Sequence, residues 1–168
     1  MHNIFAKHDY IPHIRPIVEI NLKEQKRAIG FDIKVTWLAI SRMYNQLAQK
    51  QDITTNIGFV LLHIDEKAGT PATKIAPLMG MEARSLTRML NKLEERNYIY
   101  RQADPNDGRM VRIFLTEEGM RKKEISKDVV IGFNKELYNQ IPPEKLVTFF
   151  EVMDSIQNVI KNYPHAGS

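Results

Sequence analysis

Two alternating apolar runs carry the sharpest pattern in the chain. Residues 98–103 (Y-I-Y-R-Q-A) and 111–115 (V-R-I-F-L) flank a polar cluster, D-P-N-D-G-R, at 104–109. Period-two alternation on both sides of a Pro/Asn/Gly turn predicts a β-hairpin with Arg109 near its tip. Elsewhere the period is helical. Ile33, Trp37, Ile40, Tyr44 and Leu47 recur every three or four residues and predict a helix over 32–51. Thr54 or Thr55 offers an N-cap for a second helix striped by Ile57, Val60, Leu61 and Ile64, with Gly69 as its left-handed terminator.

Thr70-Pro71 reads as an N-cap and first helical residue of a short helix over 72–78, with Ile75 and Leu78 turned inward and Pro77 distorting its end. Met79-Gly80-Met81 makes a tight turn. Leu86, Met89, Leu90 and Leu93 then stripe a helix over 82–96, which Asn97 ends. After the hairpin, Thr116 caps a long helix carrying Glu117 and Glu118 in its first turn and Ile125, Val129, Phe133 and Leu137 in its stripe. Ile141-Pro142-Pro143 breaks it, and Leu146, Phe149, Phe150, Met153, Ile156 and Ile160 stripe a last helix over 144–160. Residues 1–16 read as an irregular arm, and 17–29 as a weak helix closed by Gly30.

The fold class expected is mainly α with a small β-hairpin wing: a winged helix–turn–helix flanked by N- and C-terminal dimerisation helices. Residues 1–168 read as a single domain. Within it, 55–115 form the winged-helix core, and 1–51 and 116–168 supply the flanking helices. Such a core does not need the apolar stripes of the flanking helices, so a second copy of the chain is the economical partner.

Composition narrows the function. At 43% hydrophobic and 26% charged residues the chain belongs among globular proteins, and its formal net charge of +4 favours a polyanionic partner. With no cysteine, disulfides, thiol redox sensing and Cys-based zinc sites are excluded. No stretch approaches a membrane span, no signal peptide is evident, and the expectation is a cytoplasmic protein without membrane association. No nucleophile–base pair, phosphate loop or metal quartet appears, so neither enzymatic activity nor a cofactor is expected. His8, Asp9 and His13 do not have the spacing of a recognised metal site.

The candidate chemistry is recognition of double-stranded DNA. On the helix over 82–96, Arg84, Ser85, Thr87, Arg88 and Lys92 lie off the apolar stripe, where arginine can read guanine and hydroxyls can bond phosphate. Arg109 at the hairpin tip suits a minor groove, with Asp107 close enough to pair with it and hold its direction. Arg101 and Arg112 on the strands are candidate phosphate contacts. The alternative is a winged-helix module for protein or RNA without sequence-specific DNA binding, which would more commonly carry an apolar or acidic third helix.

These motifs together resemble the MarR family of bacterial transcription regulators. The resemblance rests on Asp104, Asn106-Asp107-Gly108-Arg109, Val111, Leu115-Thr116 and Gly119 in the wing, and on Ser85-Leu86-Thr87-Arg88, Leu90 and Leu93-Glu94-Glu95-Arg96 before it. It covers about residues 32–160. Two positions depart from the pattern: Asn106 stands where arginine is frequent, and Pro77 interrupts a helix that is usually uninterrupted. The resemblance implies a homodimer joined through its terminal helices. It also implies a roughly palindromic operator, most often repression, and a small ligand bound between the dimerisation helices and the winged helix, where Trp37, Met43, Tyr44, Phe59 and His63 are the candidate walls. A mostly apolar cleft with few polar groups would suit a small apolar or anionic effector such as an aromatic acid or acyl compound.

Overall fold

The computed structural model describes residues 28–105 and 107–164; the arm and weak helix expected before residue 28 lie outside them. The chain divides into two compact units, residues 1–40 and 41–168. Among the described residues six helices and three short strands follow in order: α1 (Ile29–Ala48), a 3₁₀ turn (Gln49–Gln51), α2 (Thr55–Leu62), β1 (Thr70–Pro71), α3 (Ala72–Leu78), α4 (Ala83–Glu95), β2 (Ile99–Ala103), β3 (Val111–Leu115), α5 (Glu117–Gln140) and α6 (Pro143–Asn162). The strands form one antiparallel sheet in the order β1-β3-β2. This is a mainly helical fold with a three-stranded wing.

In the first unit, the described part of α1 exposes Ile29, Phe31, Ile33, Val35, Trp37 and Leu38. Gly30 lies inside α1 and does not close a preceding helix.

In the second unit the core is one cluster: Val60, Leu61 and Ile64 after α1, Ile75 and Ala76 on α3, Leu86, Leu90 and Leu93 on α4, and Tyr98, Ile99, Ile113 and Leu115 in the wing. The α4 leucines recur at i, i+4 and i+7, so that helix buries one face and exposes the rest. In β3, Ile113 and Leu115 point inward, which sets the hairpin register of Ile99 opposite Leu115 and Arg101 opposite Ile113.

Three local expectations are corrected. Helix α2 stops at Leu62, well before Gly69, because Asp65 folds the chain into a turn of its own. Its carboxylate accepts from the Lys67 and Ala68 amides at 2.9 and 2.7 Å, an arrangement that competes with helix. Gly69 does adopt φ +63°, but it serves the sheet: a Cβ there would lie 2.7 Å from the Phe114 ring. Thr70-Pro71 pairs with Ile113-Arg112 as β1, so the N-cap of α3 is Pro71 and not Thr70, and the Thr70 hydroxyl donates to His63 O. Leu78 is 61% exposed instead of buried, since α3 ends there and Gly80, at φ +58°, turns the chain towards α4.

The remaining boundaries follow their caps. Thr54 accepts from Ile57 N and Thr116 from Gly119 N, as the sequence leads one to expect. Asn97 takes the left-handed conformation at φ 56°. Helix α5 packs along α2, whereas α6 has no buried residue, with Phe149, Phe150, Val152, Val159 and Ile160 exposed.

Candidate nucleic-acid interface and effector cleft

The turn through Gly80 places α4 after α3 as the second helix of a helix–turn–helix. Its leucine face is held by the core, so Arg84, Ser85, Thr87, Arg88 and Lys92 are all exposed. Arg84, Arg88 and Lys92 have no carboxylate partner among the described residues. The Thr87 hydroxyl donates to Ala83 O one turn back, which leaves its lone pairs outward. Arg88 and Lys92 line an open groove with Ser85, Arg96 and the start of α2 at Thr54 and Asn56.

The wing tip is organised by its acids. Asp107 accepts from the backbone N–H of Arg109 at 3.0 Å, so it shapes the turn through the main chain and leaves the guanidinium of Arg109 to solvent. Asp104 is 6% exposed, and Arg112 Nε donates to it at 2.7 Å. A buried carboxylate needs such a partner. The same guanidinium donates to Ala68 O at 2.8 Å and Gly69 O at 3.3 Å, tying the wing to the turn before β1.

Arg101 is also engaged: it pairs with Glu94 and donates to Asn91 Oδ1, both on α4. The expected phosphate contacts at Arg101 and Arg112 therefore meet a geometry in which both guanidiniums already hold protein groups. Sequence reasoning had no signal for these partners, because four of the five, Glu94, Asn91, Ala68 O and Gly69 O, lie outside the hairpin. Arg96, which it also passed over as a contact, pairs with Asp52 at 3.0 Å across to the α1–α2 connection.

Of the five candidate pocket residues, the structure brings Tyr44 and Phe59 together, with ring centroids 6.3 Å apart. They line a cleft of about 20 Å³ with Thr55, Gly58, Leu62 and, from α5, Ser126, Val129 and Val130. Phe133 of α5 meets the Tyr44 ring edge-on at 5.8 Å. The α5 residues escaped the sequence reading because nothing local says which helix packs over α2. Burial pushes the Tyr44 phenol above its ordinary pKa. Thr55, in the lining, is held from α1: its N–H donates to Asn45 Oδ1 at 2.7 Å. Met43 and His63 are outside this lining, and the His63 ring is bonded to Phe59 O at 2.7 Å. Trp37 lies in the other unit, 45% exposed. No group of three metal-ligating side chains occurs among the described residues, and His8, Asp9 and His13 lie outside them. No helix among the described residues is long and apolar enough to cross a membrane.

The MarR family model matches residues 53–111. The chain is 30% identical over 99 residues to the HTH-type transcriptional regulator SarZ of Staphylococcus aureus (strain USA300), a match covering 56% of this chain and 67% of SarZ. It is 27% identical over 103 residues to the uncharacterized HTH-type transcriptional regulator YdgJ of Bacillus subtilis (strain 168), covering 61% of each chain. Among solved structures, CouR from Rhodococcus jostii RHA1 bound to p-coumaroyl-CoA superposes with a TM-score of 0.69 at 25% identity, over 80% of this chain and 93% of CouR.

Proposed function

Because the chain belongs to the MarR family of winged helix–turn–helix transcriptional regulators, we propose that it binds a pseudo-palindromic operator as a homodimer and responds to a small ligand. The observation that carries this reading is the set of unpaired cations at two places suited to duplex DNA. Arg84, Arg88 and Lys92 stand on the solvent face of α4, and Arg109 stands at the wing tip. The major groove admits α4, and its exposed arginines and hydroxyls would read base edges and phosphates there. The wing would carry Arg109 into the adjacent minor groove, where negative potential attracts it.

Dimerisation is supported by the apolar residues that α1 and α6 leave exposed. An operator read by two α4 helices would carry its half-sites about 34 Å apart, one turn of duplex. The action on its genes is read as repression, by a dimer occupying the operator until an effector releases it.

The effector reading rests on the cleft lined by Tyr44 and Phe59, two of the five candidate pocket residues, together with Ser126 of α5, an apolar slot with few polar groups. An aromatic acid or acyl thioester suits it, in keeping with the p-coumaroyl-CoA bound by CouR. At about 20 Å³ the slot has room for about one water, so an effector enters only if α2 and α5 part. Such a ligand releases DNA by preferring the parted state; equal affinity for both states would shift nothing.

The test is selection of duplexes from a random pool with the purified protein, followed by salt titration of the selected site. A palindromic site with steeply salt-dependent affinity is expected. Recovery of no enriched duplex would transfer the surface to the protein- or RNA-binding alternative. A thermal-shift screen of aromatic acids and acyl-CoA thioesters, followed by operator competition, tests the effector.

A further inference from the structure

Arg101 belongs to strand β2, but its guanidinium is directed at the helix that precedes the strand. One terminal nitrogen pairs with the Glu94 carboxylate and the other donates to Asn91 Oδ1 at 2.7 Å. Glu94 and Asn91 are three residues apart, so they are neighbours one turn apart on α4. Arg101 faces Ile113 across the ladder, a residue with no exposure, so its stem starts at the edge of the core. Its side chain retains 29% exposure and that of Glu94 39%. A planar fork gripping two points one turn apart on a helix resists both rotation of that helix about its axis and sliding along it.

The helix so gripped carries Arg84, Arg88 and Lys92, and the strand that grips it leads into the tip carrying Arg109. We propose that Arg101, with Glu94 and Asn91, is a positioning residue for DNA recognition: it fixes the rotation of α4 relative to the wing, so that major-groove and minor-groove contacts reach the duplex as one pre-set pair. The proposal rests on the DNA-binding reading above. It reassigns Arg101 from phosphate contact to brace, and it gives Glu94 a role opposite to the one its charge implies.

That opposition supplies the test. A carboxylate beside a DNA surface repels phosphate, so as a bystander Glu94 weakens binding and its removal tightens it. As half of a brace, its removal loosens α4. Affinity for the selected operator is measured by fluorescence anisotropy at several salt concentrations for wild type, Glu94→Ala, Arg101→Ala and Arg101→Lys, with thermal melting of each as a folding control. The pair is solvent-accessible and contributes little to stability, so all variants should melt close to wild type.

The brace predicts weaker binding for all three variants, by about tenfold, comparable with the loss of one well-aligned contact. Lysine at 101 keeps the charge but not the fork, so it should fail to rescue. The salt slope should be unchanged, whereas a lost phosphate contact lowers it by about 1. The effect of Arg109→Ala should also shrink in the Arg101→Ala background, since an unbraced wing no longer aligns with α4. Tighter or equal binding by Glu94→Ala, or rescue by lysine with a reduced slope in Arg101→Ala, overturns the brace while wild-type binding stands. Wild-type protein that binds no duplex removes the DNA reading itself, and the brace with it.

Discussion

Gly119 and Gly132 lie on the same helix and should respond in opposite ways to the same substitution. At Gly119, in the first turn of α5, an added Cβ would lie 1.8 Å from the carbonyl oxygen of Tyr98 and 2.9 Å from its carbonyl carbon. That oxygen already accepts from Thr116 N at 3.1 Å, so it belongs to the junction between the wing and α5 and cannot swing aside. At Gly132 an added Cβ meets nothing within 4 Å. Alanine is favoured over glycine in a helix by about 1 kcal/mol, and overpacking costs roughly 1–3 kcal/mol, or more where backbone must move. The clash is with backbone, so the top of that range applies and Gly119→Ala should lose about 2 kcal/mol or more net, a fall in Tm of about 4–8 °C or more for a chain of this size. Gly132→Ala should gain up to about 1 kcal/mol and raise Tm by a few degrees, by roughly the same scaling. Thermal denaturation followed by circular dichroism reads both. A Gly119→Ala protein as stable as wild type would falsify the argument from the α5–wing junction.

Other expectations concern the interface, the assembly and pH. Arg88→Ala and Arg84→Ala should lower discrimination between operator and random duplex by about 1–3 kcal/mol each, while Arg109→Ala should weaken binding more evenly; unchanged affinity in all three moves the DNA surface elsewhere. Changing Phe149 and Met153 together to aspartate should give monomer or unfolded protein, because charge would be buried at the proposed seam; ultracentrifugation that finds the unmodified protein monomeric at micromolar concentration rules out the seam. Asp65 lies below the usual carboxylate range, chiefly because the Ala68 and Lys67 amides donate to it, and Glu118 does so chiefly through its hydrogen bonds from Arg121 and Lys122. Folded values below the unfolded ones mean that this stabilisation is present above the ordinary carboxylate range and is lost as pH falls through the lowered values. Tm should decline below about pH 4, and Asp65→Asn should flatten part of that decline; an identical acid limb in the mutant would show that Asp65 does not contribute.

What was legible in the sequence was what is local. The hairpin register follows from Ile99, Ile113 and Leu115 alternating on one face, and the cation face of α4 from three leucines at helical spacing. Thr54, Thr116 and Asn97 act as the end signals they resemble. The misreadings involve competition with distant groups. Thr70-Pro71 has the look of a helix start, but Ile113 and Arg112, some forty residues on, pair with it as a strand. Gly69 takes the expected left-handed conformation for the sake of Phe114 and not to end a helix. The partners of Arg101 and Arg112, and the α5 wall of the cleft, depend on which elements meet in space, which a period cannot encode.

Thr116 joins four segments with one side chain and one amide. Its hydroxyl donates to Asn97 O at 2.6 Å and accepts from Gly119 N at 3.0 Å, and its N–H donates to Tyr98 O. The end of α4, the start of β2, the end of β3 and the start of α5 thus share a single residue. For anyone wishing to graft a reporter peptide, a tag or a new chain terminus into this protein, that sharing divides the surface sharply. An extra residue between 115 and 119 would shift every one of those bonds out of phase at once. An insertion at the exposed tip around Gly108, where an added Cβ meets nothing within 4 Å, leaves all of them in register and disturbs only the turn that carries Arg109.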